Sequence, residues 1–144
     1  MFGHGDCSDS NLGKIEAAVE AHCKNYGATA FYVGNRGRFD MLAASAVKRV
    51  KARHPNIQLF LLLAYHPGER PVDLTEEFDN SYYPPLKGVP RQYAIIRANQ
   101  YMIDTADSII CYVKHIGNTR NLLEYAQRRQ RKDGIIIENV AEDS

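Results

Sequence analysis

The chain has 144 residues, of which 44% are hydrophobic and 24% charged, and its formal net charge is +1. This length and composition are typical of a globular protein with one core, so residues 1–144 are predicted to form a single domain. The near-zero net charge argues against a surface that coats nucleic acid. The longest apolar run, residues 59–65, is too short to cross a membrane. No charged-then-apolar leader is recognised, so we expect a cytoplasmic protein.

The first half of the chain shows strands that alternate with helices. A very short strand at residues 1–2 leads into a glycine turn, and a helix is predicted to follow and to end at Gly27. Residues 29–33 then read as a strand and residues 39–53 as an amphipathic helix. Residues 57–65, which are continuously apolar after Gln58, are predicted to form an interior strand of a parallel sheet.

Residues 66–89 contain four prolines, three acidic residues between 76 and 79, and no clear periodicity. A stretch of this kind is typical of a functional loop, so we expect a mobile lid with at most a short helical turn near residues 74–78. Tyr82 on this lid is a candidate for stacking on a base, and the alternative is that it anchors the loop.

The second half continues the alternation. Residues 93–104 are predicted to form a helix, and residues 108–113 a strand. A helix that begins at residue 118 or 119 runs through the basic segment 128–132, and a last strand covers residues 135–137. The acidic tail, residues 138–144, is expected to be frayed.

This order predicts an α/β fold, a three-layer α/β/α sandwich with a mostly parallel sheet of about five strands. Right-handed crossovers place the carboxyl ends of parallel strands at one edge of the sheet, where ligands bind. The turns expected at that edge are residues 3–7, 34–38, 66 onward and 114–119.

The second of these turns is the best candidate for an anion site, because a strand, a glycine turn and a helix follow one another. Gly34 and Gly37 can adopt positive φ and let a ligand approach the main chain. The side chains of the turn supply an amide, two guanidinium groups and a carboxylate that could cap the helix or bind a ribose hydroxyl: Asn35, Arg36, Arg38 and Asp40. The alternative is a plain turn that uses its glycines only to change direction.

The first and fourth turns add further candidates for ligand binding, namely Gly3, His4, His115, Gly117, Asn118 and Thr119. His4, His66 and His115 would lie at the same edge, but no carboxylate or cysteine stands at a recognised ligand spacing, so no metal is predicted. Cys7 near a helix start could be a nucleophile, although a small buried residue is favoured because no ordered base is evident. The three cysteines have neither zinc spacing nor the even number of a disulfide framework, as expected in a reducing compartment.

Four segments resemble the small stand-alone bacterial members of the SLOG superfamily: Phe2-Gly3-His4, residues 31–40, Leu63-Ala64-Tyr65-x-Pro67 and Ile109-Ile110-Cys111-Tyr112-Val113-x-His115. That superfamily includes the LONELY GUY phosphoribohydrolases and the DNA-processing protein A domain. The resemblance covers nearly the whole chain and implies a Rossmann-like domain that binds a nucleotide or a nucleotide-derived ligand. Many relatives have arginine where this chain has Gly5. Gly117-Asn118-Thr119 with Glu124 only loosely resembles the Pro-Gly-Gly-x-Gly-Thr-x-x-Glu motif of the LONELY GUY enzymes.

Three functional hypotheses follow. The first is a sensor or carrier that binds a phosphorylated nucleotide derivative and requires no further cofactor. The second is an N-glycosidase, phosphoribohydrolase or transferase in which Glu124 or Asp40 acts as the catalytic carboxylate. The third, single-stranded DNA binding, is disfavoured by the net charge. Because the first strand is so short, its neighbours are expected to be incompletely covered, and a homodimer could close the gap.

Overall fold

The computed structural model describes residues 1–141 of the chain, and within them six strands alternate with four helices. The strands are β1 (Phe2–Gly3), β2 (Ala30–Val33), β3 (Gln58–Leu62), β4 (Asn80–Tyr82), β5 (Ser108–Tyr112) and β6 (Ile136–Asn139). The helices are α1 (Leu12–Tyr26), α2 (Arg38–Lys51), α3 (Ala94–Thr105) and α4 (Asn118–Asp133), and short 3-10 turns cover Asp9–Asn11 and Arg91–Tyr93. The predicted α/β class is confirmed, with element boundaries within about two residues for most elements.

All strand pairs are parallel, and they form two three-stranded sheets of order β1-β5-β6 and β2-β3-β4. The expectation of one sheet of about five strands therefore differs from the structure. The reason lies in β1, which is only two residues long. Just before β1, the Met1 amino group donates a hydrogen bond to the Tyr32 carbonyl oxygen of β2 at 2.9 Å. The short first strand is confirmed, and the homodimer stays a prediction.

The helices cover the two faces of the strands in pairs. Val19 of α1 and Val47 of α2 are fully buried in one apolar cluster with Leu59 of β3. Ile103 of α3 and Leu123 of α4 belong to a second cluster on the other face. The layers are thus α1 and α2, the strands, then α3 and α4, as the amphipathic patterns predict.

The prediction of an interior strand over residues 57–65 is confirmed by β3, which lies between β2 and β4. Leu59 and Leu61 expose 0% and 2% of their surface. Burial of a leucine side chain contributes about 1.5–3 kcal/mol, so these two side chains stabilise β3 in the sheet together with its two parallel pairings.

The segment 66–89 is not without regular structure, because it contains β4, and no helix forms near residues 74–78. Asp79 fixes the start of β4. Its amide donates to the Leu59 carbonyl oxygen at 2.8 Å, and its carboxylate accepts from the Leu59 amide at 2.8 Å and from the Lys51 ammonium. A three-residue strand has too few positions to show an alternating pattern of its own.

The prediction of a frayed tail is wrong for residues 138–141. Glu138 and Asn139 belong to β6, and Val140 is buried. The Asn139 side chain accepts from the Val113 amide at 3.0 Å and donates to the Val113 carbonyl oxygen at 2.9 Å. Residues 142–144, which the same prediction included, lie outside the described residues.

None of the helices within residues 1–141 combines the length and the apolar character that a membrane crossing requires.

Candidate functional site

The first and second turns meet main chain to main chain at the carboxyl edge of the strands. A Cβ on Gly37 would lie 2.6 Å from the Cα of Gly5, and the Arg38 amide donates to the Gly5 carbonyl oxygen at 3.1 Å. Gly34 and Gly37 do not use the positive φ that glycine allows. Among the described residues only Gly27, Gly88, Gly117 and Gly134 have a positive φ, and Gly37 is extended at −167°. Gly37 is needed because the two turns approach each other closely.

Gly3 and Gly34, at the ends of β1 and β2, also allow close packing. A Cβ on Gly3 would lie 2.4 Å from the Phe39 ring. A Cβ on Gly34 would lie 3.0 Å from a carboxylate oxygen of Asp40. Both glycines therefore let α2 approach the ends of β1 and β2, which brings the start of this helix to the candidate site.

The Asp40 side chain forms a hydrogen bond within the second turn. Its carboxylate accepts a hydrogen bond from the Arg36 amide at 2.9 Å. Burial raises the pKa of Asp40, and the hydrogen bond from the Arg36 amide opposes that shift. A carboxylate already occupies this turn, so the position is less suited to a second anion than we expected, and Asp40 is held as a structural acceptor rather than an open catalytic group. Asn35 is exposed at the tip of the turn.

The two arginines of this turn differ in their surroundings. Arg38 forms an exposed ion pair with Asp9 just before α1, so its charge is partly compensated. Arg36 points toward the end of β3, where its guanidinium carbon lies 5.5 Å from the centroid of the Tyr65 ring.

Two further arginines surround the same tyrosine. The guanidinium carbons of Arg70 and Arg91 lie 4.0 Å and 5.9 Å from the centroid of the Tyr65 ring. Arg91 also pairs with Glu69 at 3.2 Å. Three cations around one ring, with one carboxylate among them, form a positively charged patch that would attract an anionic group. We call this set, Tyr65 with Arg36, Arg70 and Arg91, the Tyr65 patch.

His4 ties the first turn to the fourth. Its ring is 4% exposed, and its Nε2 accepts hydrogen bonds from the amides of Lys114 and His115 at 2.7 Å and 3.1 Å. Burial lowers the pKa of His4, and the neighbouring His115 adds to this effect. His4 is therefore a neutral acceptor that shapes the fourth turn, not a side chain that faces a ligand.

His115 lies at the surface of the same cluster and is suited to carry charge. Its Nδ1 lies 3.3 Å from the Ile116 carbonyl oxygen, and its Nε2 lies 3.2 Å from the Asp6 carboxylate. These two acceptors, in that order, raise the pKa of His115. The hydrogen bond from His115 in turn lowers the pKa of Asp6.

The potential metal ligands of His4, Asp6 and His115 lie within 4.8 Å of one another. Their geometry fits a metal poorly. The Nε2 lone pair of His4 already accepts two amides, and the His4 and His115 rings stack at 3.7 Å with an interplanar angle of 6°. Ring nitrogens bind metal in the plane of the ring at about 2.0–2.1 Å, and two parallel planes this far apart do not share such a point. The absence of a metal stays a prediction.

The start of α4 is the least compensated positive element of the edge. Gly117, with φ of 149°, precedes the helix, and no side chain caps it. The Asn121 amide is satisfied by the Gly117 carbonyl oxygen at 3.1 Å, which leaves the amides of Asn118 and Thr119 at the helix start. The Nε of Arg120 is buried and has no hydrogen-bond partner among the described residues.

Arg120 also interacts electrostatically with His4 and His115, so it belongs to the cluster formed by the first and fourth turns. Neither Arg120 nor Tyr65 was a predicted site residue. Tyr65 could have been noted because it is the last residue of the apolar run that predicts β3. Arg120 gives no signal in the sequence, because an arginine in the first turn of a helix is ordinary.

Two other candidates, Tyr82 and Glu124, lie away from this cluster, whereas Cys7 belongs to its first turn. Tyr82 packs against Tyr32 with ring centroids 5.5 Å apart, and a hydrogen bond with Tyr101 raises the pKa of Tyr82 to about 12. Glu124 is exposed and lies about 9 Å along α4 from Asn118, six residues at 1.5 Å each. Cys7 is buried, as favoured, and burial raises the pKa of its thiol.

No protein-family model matches this chain, and no curated protein matches it.

Proposed function

We propose that the carboxyl edge of the strands binds a nucleotide or a nucleotide-derived phosphorylated ligand, as a sensor or carrier module. The first, second and fourth turns would contribute through the positions predicted from the sequence. The proposal adds Arg120 and the Tyr65 patch to them.

The observation that carries the proposal is the buried, unpartnered Nε of Arg120 beside the uncapped start of α4. A buried donor without an acceptor costs about 1–3 kcal/mol, and more when the group is charged. A phosphate oxygen at this position would accept from Arg120 and from the amides of Asn118 and Thr119, where the helix dipole favours negative charge. Protonated His115 would add a second cation.

The Tyr65 patch suggests what the other end of the ligand contacts. β3 and β5 are separated by β2 and β1, so their ends are roughly 14 Å apart at about 4.8 Å per strand. A mononucleotide or dinucleotide could place a phosphate at Arg120 and present a base or a second phosphate to Tyr65, Arg36 and Arg70. Arginine and tyrosine together favour flat or anionic groups.

The resemblance to the stand-alone SLOG proteins supports the same ligand class. The segments that carry this resemblance end at the edge that holds Arg120 and Tyr65. Asp40 is occupied by the Arg36 amide and Glu124 lies two turns into α4, so neither supports the phosphoribohydrolase alternative.

A second candidate function is an enzyme at the same edge that uses the Asp6–His115 pair. The 3.2 Å contact orients an imidazole of raised pKa beside the proposed phosphate position, where it could donate a proton to a leaving group. Single-stranded DNA binding stays disfavoured, because the described edge offers two separate basic clusters rather than a continuous basic groove.

The test is a thermal-shift and calorimetric panel of AMP, ADP, NAD and pyrophosphate against the wild type and Arg120→Gln. We expect at least one compound to raise Tm and Arg120→Gln to weaken its binding about 10- to 100-fold, as expected for a lost charge-assisted hydrogen bond.

Arg131→Gln is the matched control, because Arg131 is an exposed arginine in the last turn of the same helix. It should bind like the wild type. If no phosphorylated compound shifts Tm, or if both variants lose affinity equally, the proposed site is wrong.

A further inference from the structure

A cavity lies at the opposite end of the strands, at the start of β2 and β5. It has a volume of about 470 Å³ and opens between β2 and β5, next to the two-residue β1. Its walls include Phe31, Met102 and Ile103, and its polar groups include His22, Ser108 and Asp107. A volume of this size, with apolar side chains and several polar groups in the wall, is typical of sites for small organic molecules.

A hydrogen-bonded chain of three side chains has two members, His22 and Ser108, in the wall of this cavity. His22 of α1 is 1% exposed, its Nδ1 lies 2.8 Å from the Ser108 hydroxyl, and its Nε2 lies 3.1 Å from Oε1 of Glu138. A carboxylate only accepts hydrogen bonds, so Nε2 carries the ring hydrogen and donates to Glu138. Nδ1 is then an acceptor, and the Ser108 hydroxyl donates to it.

This arrangement is that of an activated serine. A nucleophilic hydroxyl bonded to an imidazole, which a carboxylate orients in turn, is recognised by geometry and roles on unrelated folds. Burial lowers the pKa of His22, and its hydrogen bond to Glu138 opposes this. A neutral imidazole is the form that can accept the serine proton.

Main-chain amides face the same cavity. The Tyr112 carbonyl oxygen accepts a hydrogen bond from the His4 amide, on the side of β5 that faces β1. The main-chain groups of every second residue in a strand point to the same side. The main-chain groups of Ile110 and Ser108 therefore also point toward β1. On the opposite wall, the Tyr32 carbonyl oxygen accepts from Met1, which directs the amides of Tyr32 and Ala30 toward β1 and the cavity. Such amides can stabilise negative charge that develops on a carbonyl oxygen.

We infer that Ser108, His22 and Glu138 form a nucleophilic site that cleaves small carboxylic esters, separate from the nucleotide site at the other end of the strands. The Ser108 oxygen bonds to the ester carbonyl carbon while its proton passes to Nδ1 of His22. The bond to the leaving alkoxide then breaks, and the alkoxide takes that proton from His22 and leaves as the alcohol. Water attacks the acyl-serine in the same way, with His22 as base, and releases the carboxylic acid and free Ser108.

The test treats the full chain with a short-chain alkyl fluorophosphonate, which forms a serine–phosphorus bond and releases fluoride. We expect one adduct by intact-protein mass spectrometry, located at Ser108 by peptide mapping, and none in Ser108→Ala. His22→Gln should slow the labelling about 100-fold or more, and hydrolysis of p-nitrophenyl acetate should fall in parallel.

Ser81→Ala is the matched control, because Ser81 is also half-buried in a strand and does not line the cavity. It should label like the wild type. Glu138→Gln changes a partly exposed side chain and should slow labelling even if His22→Gln fails to fold. A folded wild type without an adduct at Ser108, or a Ser108→Ala variant labelled as fast as the wild type, would overturn the inference. Nucleotide binding at Arg120 is measured separately and does not depend on this result.

Discussion

The close contact between Gly37 and Gly5 predicts that a single added methyl group, in Gly37→Ala, lowers the stability of the fold substantially. In Gly37→Ala the added methyl group would lie 2.6 Å from the Gly5 Cα, a distance at which something must shift. The neighbour is main chain and cannot rotate away, and the Arg38 amide holds it through a 3.1 Å hydrogen bond to Gly5. Relief of the clash therefore moves one turn away from the other.

The magnitude follows from packing. Extra methyl groups forced into a packed site cost about 1–3 kcal/mol, and loss of the hydrogen bond between Arg38 and Gly5 would add about 0.5–1.5 kcal/mol. Gly37 is extended, so backbone strain contributes nothing to this figure. We expect Gly37→Ala to lower the free energy of unfolding by about 1.5–4.5 kcal/mol, which corresponds to a decrease in Tm of roughly 3–18 °C for a domain of this size.

The assay is urea unfolding followed by circular dichroism, with Gly13→Ala as the matched control. Gly13 lies in the first turn of α1, and nothing lies within 4 Å of a Cβ placed there. Alanine is the better helix former, so Gly13→Ala should raise the free energy of unfolding by up to about 1 kcal/mol. If Gly37→Ala unfolds at the same urea concentration as the wild type, the two turns are not in contact and the candidate site is not assembled as described.

Three other predictions concern histidines and the loop. His4→Phe leaves two amides of the fourth turn without their acceptor and should lower the free energy of unfolding by about 1–3 kcal/mol. Its control is His66→Phe at an exposed position, which should change the free energy of unfolding by less than about 0.5 kcal/mol. Equal urea midpoints for the two variants would contradict this prediction. The lowered pKa values of His4 and His22 mean that the unfolded chain binds more protons than the folded one just below pH 6.5, so their contribution to stability should fall as the pH drops from 7 to 5.5. The raised pKa of exposed His115 has the opposite effect and makes its contribution to stability larger at low pH. If the stability of His4→Phe depends on pH as that of the wild type does, His4 does not contribute to the loss of stability. Amide hydrogen exchange in residues 66–78 should be fast in the free protein and slower with a bound nucleotide, and equal strong protection in both states would make this segment fixed architecture.

The helices and strands that could be predicted are those whose own residues show a helical period or a continuous apolar run. The helix predicted over residues 39–53 is α2 at Arg38–Lys51, because its apolar side chains recur at the helical period. β3 was predicted from a continuous apolar run in the same way. β4 was missed because three residues are too few to show an alternating pattern. Its position depends on the side chain of Asp79, which accepts a hydrogen bond from the amide of Leu59, 20 residues earlier in the chain.

The candidate site could be located only to the level of turns. Parallel strands predict that the turns meet at one edge, and the contact between Gly5 and Gly37 shows that the first two do. The role of each side chain depends on partners distant in sequence. His4 contacts residues 110 and 111 positions away, and His22 contacts side chains 86 and 116 positions away. No local pattern marks such pairs, so His4 was assigned to the ligand and His22 was overlooked.

The central claim is that the carboxyl edge of the strands binds a phosphorylated nucleotide derivative. Native mass spectrometry of the protein purified gently from cells tests it most directly, because a retained ligand is weighed without prior choice of a compound. We predict a bound species with the mass and fragmentation of a nucleotide derivative on the wild type and on Arg131→Gln, and its loss from Arg120→Gln. A wild-type spectrum of bare protein, together with no response to the nucleotide panel, would contradict the account.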